Sequence, residues 1–181
     1  MALLGVRIPV IRLALLVCVA LRAQAEMAAI NEYEVKAAFL YKFAKFVEWP
    51  PEAFGSATDP VGICVLGQDP FGRALDDAVN GKAFHGRAFV VRQISEIRQA
   101  ARCQILFVSS SERKRYGAIL GELRTGVLTV GETDAFAEQG GIVNLKLESG
   151  RVRIQINLNA AEQARIRISS KLLGLAQIVG K

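Results

Sequence analysis

Two groups of serines stand where a hydrolase could carry its nucleophile. The serines at 109–111 follow an apolar segment, and Ser169–Ser170 precede Lys171. Neither group has the Gly-x-Ser-x-Gly elbow of the α/β-hydrolases, and Ile168 occupies the position at which a Ser-x-x-Lys motif needs its serine. Serines at such positions are typical of helix caps. We therefore interpret both groups as caps and expect no serine nucleophile.

The other residues able to do acid–base chemistry are isolated or have simpler explanations. His85 is the single histidine and stands in a glycine-bounded turn, without neighbours that could orient it as a general base. Glu132 and Asp134 flank Thr133 at a predicted helix start, where capping explains them. The sequence thus predicts that the protein is not an enzyme.

Neither a phosphate loop nor a metal site is predicted. Gly67–Gly72 lies between a predicted strand and a predicted helix, where phosphate loops occur. It is neither Gly-x-Gly-x-x-Gly nor a Walker loop, so we interpret it as a plain strand–helix turn. One histidine and no Cys-x-x-Cys argue against a structural zinc site. We expect no cofactor and no metal.

The N-terminus has the pattern of a secretory signal peptide. Arg7 and Arg12 form a basic leader, Leu13–Leu21 is an uncharged apolar run, and residues 23–25 supply the small-x-small pattern that signal peptidase recognises. The run has nine residues, whereas a membrane span takes roughly 20. We predict that residues 1–25 are removed and that the protein is exported to the periplasm.

Cleavage changes the number of cysteines and the charge. Cys18 leaves with the leader, and an even pair, Cys64 and Cys103, remains. In an oxidising compartment this pair predicts a disulfide, either as a structural staple or as a redox-responsive switch, which needs a strained or exposed bond.

The formal net charge of +6 falls to +3 because the leader holds three arginines and no acidic residue. Nucleic-acid binders usually show a concentrated basic stripe. Neither the remaining charge nor the predicted compartment supports one, so we expect no nucleic-acid partner.

Residues 26–181 suit one domain built from strand–helix units. Short apolar runs predict strands at Val61–Leu66, Arg87–Arg92, Gln104–Ser109 and Val127–Val130. Helices are predicted at Phe71–Val79, Ile94–Ala101, from the serines at 109–111 to Leu123, and at Asp134–Glu138, Ala160–Arg165 and Ser170–Val179. We expect an α/β fold: a single domain whose mixed β-sheet is flanked by helices and includes an antiparallel C-terminal hairpin.

A further helix is predicted over residues 31–47. Apolar residues at helical spacing indicate its core face: Val35, Phe39, Phe43 and Phe46. Its lysines are expected in solvent: Lys36, Lys42 and Lys45. Three aromatic residues fall off the phenylalanine stripe and suggest an interfacial region: Tyr33, Tyr41 and Trp49.

The predicted hairpin consists of Ile142–Leu147 and Val152–Leu158 around the turn pair Ser149-Gly150. Its second strand alternates, so that Arg151 and Arg153 fall on a polar face. We expect this face and the Tyr33–Trp49 region to contact a partner. The predicted partner-binding residues are Tyr41, Trp49, Arg151 and Arg153.

Blocks of residues in chain order resemble the YfiR family. They are Val35–Phe43, Val47–Pro50, Ile63–Gly67, Asp69–Gly72, Cys103–Ser109, Leu128–Glu132, Gly140–Leu145, Val152–Asn157 and Ser169–Leu173. The resemblance implies a periplasmic, non-enzymatic regulator. The family's namesake restrains a membrane-bound diguanylate cyclase, YfiN, by binding its periplasmic sensor region. Cys64 and Cys103 match the family's cysteine pair, and this chain lacks the cysteines for the namesake's second disulfide.

These expectations give two hypotheses for the function. The leading one is a periplasmic protein that inhibits a membrane-bound signalling protein, a YfiN-like diguanylate cyclase or another sensor protein, and so lowers cyclic di-GMP signalling and biofilm formation. The alternative is a periplasmic small-ligand binding protein that uses a cleft at the strand ends. A homodimer is compatible with either hypothesis.

Overall fold

A continuous apolar segment forms the central strand of the sheet. Val61–Leu66 is buried along its whole length because parallel strands flank it on both sides, at Arg87–Ile94 and Ile105–Val108. Burial on both faces explains why the segment is apolar without alternation. The structure is a computed structural model that describes residues 32–180, so the predicted signal peptide lies outside the described residues.

The described residues form two sheets. The strands are Val47–Glu48 (β1), Val61–Leu66 (β2), Ala83–Phe84 (β3), Arg87–Ile94 (β4), Ile105–Val108 (β5), Leu128–Gly131 (β6), Val143–Glu148 (β7), Arg151–Asn157 (β8), Arg167–Ile168 (β9) and Gln177–Val179 (β10). Eight strands form a mixed sheet in the order β10-β8-β7-β6-β5-β2-β4-β3, and β1 pairs with β9. Strands β4, β2, β5, β6 and β7 are parallel, whereas β8 is antiparallel to β7.

Helices cover both faces of the large sheet. The α-helices are residues 32–43 (α1), Ala74–Val79 (α2), Tyr116–Gly121 (α3), Asp134–Glu138 (α4), Leu158–Gln163 (α5) and Ser170–Leu173 (α6). Three 3-10 helices lie at Pro51–Ala53, Ile97–Arg102 and Ser110–Arg115. Among residues 32–180, no helix is long and apolar enough to cross a membrane. The predicted mixed α/β fold with its antiparallel hairpin is confirmed.

The alternation of side chains along the strands divides the core into two layers. On one face, helix α1 covers Ile63 of β2 and Phe107 of β5 with Leu40 and Phe43. On the other face, Leu106 of β5 packs in a second cluster, which includes Cys64, Tyr116 and Phe136. Burying one large apolar side chain contributes roughly 1.5–3 kcal/mol to the stability of the fold. Because each cluster buries several such side chains, both faces stabilise the sheet.

Two predicted helices end earlier than expected. The helix predicted over residues 31–47 ends at residue 43, and β1 follows because Val47 and Glu48 pair with β9. The helix predicted over Ser170–Val179 ends with α6, and β10 then pairs in parallel with β8. Both errors have one cause. In both segments the backbone N–H and C=O groups pair with a strand that is distant in the sequence, and a local sequence pattern does not reveal such a partner.

The predicted disulfide is confirmed. Cys64 in β2 and Cys103 just before β5 are bonded, with their Cα atoms 5.8 Å apart. Both cysteines are 0% exposed. Close approach of the backbones requires Gly62, because a Cβ atom there would collide with the carbonyl oxygen of Arg102. The lack of solvent access favours the structural staple over the redox-responsive switch, since a reductant would reach the bond only after local or global opening.

We expect removal of the disulfide to lower the free energy of unfolding by about 2–4 kcal/mol, because the bond closes a loop and restricts the unfolded chain. The variant Cys64→Ala/Cys103→Ala, compared with the oxidised wild type by urea unfolding, measures this loss. Two alanines also remove the thiols, so the reduced wild type serves as the matched control.

The staple interpretation also predicts how the native bond responds to reductant. Without denaturant, dithiothreitol should cleave it no faster than the protein opens, as followed by thiol labelling and mass spectrometry. Rapid cleavage of the fully folded protein would contradict the staple and favour the switch.

Candidate functional site

The parallel strands β4, β2, β5 and β6 end at one edge of the sheet, which we call the carboxyl edge. In open α/β sheets, ligands bind outside these ends, where the strand order reverses. Here the reversal lies between β2 and β5, because the chain moves from β2 to β4 on one side and from β5 to β6 on the other. The residues just beyond the strand ends are therefore the first candidates for a site.

A buried ion pair joins helix α1 to this edge. Lys36 of α1 and Glu132, directly after β6, have side chains 2% and 4% exposed, with 2.8 Å between Nζ and Oε2. Glu32 adds a second carboxylate oxygen 2.5 Å from the same Nζ. The prediction that Lys36 is solvated is wrong, because the helix turns it toward Glu132. Lys42 and Lys45 are exposed, as predicted.

Glu132 connects three parts of the fold. The hydroxyl of Tyr33 donates to Oε2 at 3.1 Å, and the backbone N–H of Ser110 donates to Oε1 at 3.2 Å. The prediction that Glu132 and Asp134 cap the following helix is wrong. The N-cap of α4 has no side-chain hydrogen bond, and the carboxylate of Asp134 instead pairs with Lys146 at 2.8 Å.

The surroundings of this cluster keep Glu132 ionised and the Tyr33 hydroxyl protonated near neutral pH. Burial raises the pKa of Glu132, but the hydrogen bond and charge of Lys36, with the N–H of Ser110, outweigh it and leave the pKa below its usual value. Burial and the neighbouring Glu132 carboxylate raise the pKa of Tyr33. A carboxylate of depressed pKa is a weak base, so the cluster suits positioning better than proton transfer.

The serines and the histidine occupy the places expected of them. Ser109 Oγ accepts from the N–H of Ser111, and Ser169 Oγ accepts from the N–H of Leu172, so both cap helices. His85 is an exposed turn residue with a positive φ of 49°, packed against the ring of Phe84. Within residues 32–180, no group of three His, Cys, Asp or Glu side chains could hold a metal ion.

A groove of about 430 Å³ lies between α1 and the tip of the β7–β8 hairpin. It is lined by Glu32, Val35, Phe39, Leu147, Gly150, Arg151 and Val152, and we call it the α1–hairpin groove. Val35 is 38% and Leu147 47% exposed. The prediction that Val35 faces the core is therefore wrong, because the buried stripe of α1 runs through Lys36, Leu40 and Phe43. Val35 and Leu147 give the groove exposed apolar area, which makes it a candidate for an interaction surface.

Two of the predicted partner-binding residues lie at this groove or beside it. Arg151 lines it, and Arg153 is exposed two residues further along β8. Neither guanidinium forms a salt bridge with any of residues 32–180. Within the described part of the chain, the hairpin thus presents two arginines without salt bridges at or beside a largely apolar groove.

The other two predicted residues lie near β3 and β4, and β7, β6, β5 and β2 separate β4 from β8. The ring of Tyr41 packs edge-on against Phe89, with centroids 5.4 Å apart. Trp49 packs against Phe54 and Phe84, and its Nε1–H donates to the carbonyl of Gln104 at 3.1 Å. Both rings have roles inside the domain, and their partner contacts stay predictions.

A second groove, of about 580 Å³, lies at the carboxyl edge beside β2 and β4. We call it the strand-end groove; it is lined by Gly67, Gln68, Gln93, Ile94, Ser95, Gln99, Ser111 and Glu112. Several of its polar groups bond to one another: the N–H of Gln68 donates to Ser111 Oγ at 2.9 Å, and the N–H of Ser95 donates to Gln99 Oε1 at 2.9 Å.

Comparison with known proteins identifies a family. The family model described as YfiR/HmsC-like matches residues 33–177. No curated protein sequence matches the chain.

Two solved structures are similar at a TM-score of 0.47 each. One is an ABC domain in complex with L-Trp from Streptococcus pneumonia, with 11% identity over 66% of this chain and 55% of that one. The other is a conserved domain protein from Vibrio cholerae O1 biovar El Tor strain N16961, with 14% identity over 65% and 54%. The chain spans little more than half the length of either.

We expect Lys36→Met to lower the free energy of unfolding by about 3–5 kcal/mol, because it leaves Glu132 buried without its counter-ion. Lys42→Met, an exposed change of the same kind in the same helix, should stay within about 0.5 kcal/mol of wild type. Urea unfolding measures both. The double variant Lys36→Met/Glu132→Gln should lose less than the sum of its single changes. Additive losses, or equal losses for the two lysines, would show that the pair does not couple α1 to the sheet.

The depressed pKa of Glu132 predicts a pH dependence. Its stabilising contribution is complete above the ordinary glutamate pKa of about 4.3 and is lost as the pH falls through the lower folded-state pKa. The difference in unfolding free energy between wild type and Glu132→Gln should therefore be constant from neutral pH to about pH 5 and shrink below about pH 4. The pKa of Asp59 is also lowered, but Asp59 is present in both proteins, so its contribution to the pH dependence cancels in the difference. A difference that grows toward low pH would be incompatible with this electrostatic assignment.

Proposed function

The chain belongs to the YfiR/HmsC-like family, and on that premise we propose that it is a periplasmic regulatory protein. In this proposal it binds the periplasmic sensor region of an inner-membrane signalling protein and inhibits it. The observation that carries the proposal is the family match over residues 33–177. The partner we propose is a YfiN-like diguanylate cyclase, so that binding lowers cyclic di-GMP and with it biofilm formation.

Export fits the chemistry of the described residues. A disulfide such as Cys64–Cys103 forms and persists in oxidising compartments, of which the bacterial periplasm is one. We propose that residues 1–25 are the signal peptide that directs the chain there and that the remainder is one domain. A homodimer stays a prediction.

We propose the α1–hairpin groove as the contact surface for the partner. Val35 and Leu147 offer apolar area, and Arg151 and Arg153 offer positive charge that forms no salt bridge among residues 32–180. This combination suits an apolar side chain flanked by acidic residues on the partner. Apolar burial would supply affinity, and the charges would supply orientation and association rate.

Inhibition in this proposal is stoichiometric and needs no catalysis. A bound regulator shifts the sensor region toward one conformation only to the extent that it binds that conformation more tightly. The cluster around Glu132 supports a positioning role, because its charges hold α1, and α1 forms one wall of the groove.

One observation favours a second candidate, a small-ligand binding protein. The strand-end groove lies at the carboxyl edge, next to the reversal of strand order, where α/β sheets bind ligands. Several of its polar groups hydrogen-bond to one another, which leaves fewer of them to bind a ligand. Together with the family match, this favours the regulator. A ligand-dependent rise in the midpoint of thermal unfolding, with no captured protein, would favour this second candidate.

Deleting the gene should raise the cellular level of cyclic di-GMP, and tagged protein should capture an inner-membrane cyclase from detergent extracts. The variant Arg151→Glu/Arg153→Glu should lose capture and fail to restore the low level, because it reverses the charge beside the groove. Its matched control, Arg73→Glu/Arg113→Glu, reverses two exposed arginines on other elements and should behave as wild type. An unchanged nucleotide level with no captured signalling protein would contradict the proposed function. Equal behaviour of the two double variants would contradict the proposed surface alone.

A further inference from the structure

Three arginines line a cavity at the opposite edge of the sheet, where β2 and β5 begin. The cavity has a volume of about 480 Å³, within the range of small-molecule sites. Its side chains include Arg92, Arg102 and Arg124, and we call it the arginine cavity. The other lining residues are Glu52, Ala53, Gly55, Asp59, Pro60, Ala101 and Gln104.

The fold fixes these arginines from three directions. Arg92 lies on β4 in register with Cys64, so its side chain shares the disulfide face of the sheet. Arg102 immediately precedes Cys103, and the disulfide therefore holds its backbone. Arg124 follows α3 and donates from its guanidinium to the carbonyl of Ala101. The cavity is thus assembled by the same staple that joins β2 to the segment before β5.

The wall of the cavity is equally ordered. Gln104 Nε2 donates to the carbonyl of Ala53 at 2.7 Å, while its Oε1 accepts from the N–H of Gly62 at 2.7 Å. A Cβ atom at Gly62 would lie 2.9 Å from Arg92 Nη1. The absence of a side chain at this position gives the guanidinium its room.

Arg92 carries the decisive feature. Its Nη1 is buried and donates to no acceptor among residues 32–180. A buried donor on a charged group is costly without an acceptor, and native structures seldom retain one unless an ion, a water or a functional role accounts for it. The guanidinium therefore has capacity for an acceptor that the described chain does not supply.

The charge balance of the cavity is positive. None of its three arginines forms a salt bridge with a described residue. Of its two acidic side chains, Glu52 pairs with Arg165 at 3.2 Å. Asp59 accepts from the backbone N–H groups of Gly55 and Ser56 and from Ser56 Oγ, at 2.6–3.1 Å. Both carboxylates thus have partners, whereas no acidic side chain among residues 32–180 pairs with the three guanidinium groups, and the one hydrogen bond of Arg124 to Ala101 leaves its other N–H groups for an anion.

We propose that the arginine cavity binds a small oxyanion, of the phosphate or the carboxylate type, through Arg92 at its buried end and Arg102 and Arg124 at its exposed mouth. The planar fork of a guanidinium matches two oxygens of either group. The cavity lies at the opposite sheet edge from the α1–hairpin groove, so this site is independent of the proposed regulatory contact.

Isothermal titration of the purified, oxidised protein tests the proposal. Inorganic phosphate and malonate are titrated separately, at an ionic strength held constant with sodium chloride. We expect saturable one-site binding of at least one anion. Arg92→Gln should weaken it about tenfold or more, because it removes a charged donor. Arg113→Gln, an exposed arginine beyond the carboxyl end of β5, should leave the affinity unchanged.

The outcomes separate the two ligand types. Binding of phosphate alone assigns the site to phosphate-type ligands, and binding of malonate alone assigns it to carboxylates. Arg124→Gln, an exposed change, should weaken binding too and carries the test if Arg92→Gln fails to fold. The proposal is overturned if neither anion gives saturable heat, or if both cavity variants bind as the wild type does.

Discussion

The ion pair between Lys36 and Glu132 ties helix α1 to the carboxyl edge of the sheet. Desolvating two such groups costs several kcal/mol per ion in real proteins, which their attraction offsets only when further hydrogen bonds complete the arrangement. Tyr33, Ser110 and Glu32 supply those contacts. This cluster holds α1 in place. Helix α1 in turn covers one face of the core and forms one wall of the α1–hairpin groove.

A different kind of link fixes the other face. The Cys64–Cys103 bond, 0% exposed, joins the central strand to the segment before β5. It acts through covalent geometry and is insensitive to acid, whereas the Lys36–Glu132 pair acts through charge and weakens at low pH. The two links lie on opposite faces of one sheet. The arginines of the hairpin tip and of the arginine cavity take part in neither link and form no salt bridge with residues 32–180.

The sequence predicts those parts of the fold that local pattern determines. The apolar run Val61–Leu66 and the alternation along Arg151–Asn157 lead directly to β2 and β8. Pairings such as β1 with β9 could not be predicted, because the partners are more than a hundred residues apart. The sequence wrongly predicts Lys36 in solvent for a similar reason, although its spacing from Leu40 and Phe43 places it on their stripe. A charged residue on a buried stripe signals a distant counter-charge, but only the fold identifies it as Glu132.

Our central proposal is that the domain regulates a partner by binding it through the α1–hairpin groove. Hydrogen–deuterium exchange of the protein, alone and with the purified periplasmic region of its captured partner, tests this most directly. The account predicts that complex formation slows exchange at residues 35–39 and 147–152. Slowed exchange confined to the region of Tyr41 and Trp49, or to the strand-end groove, would contradict it.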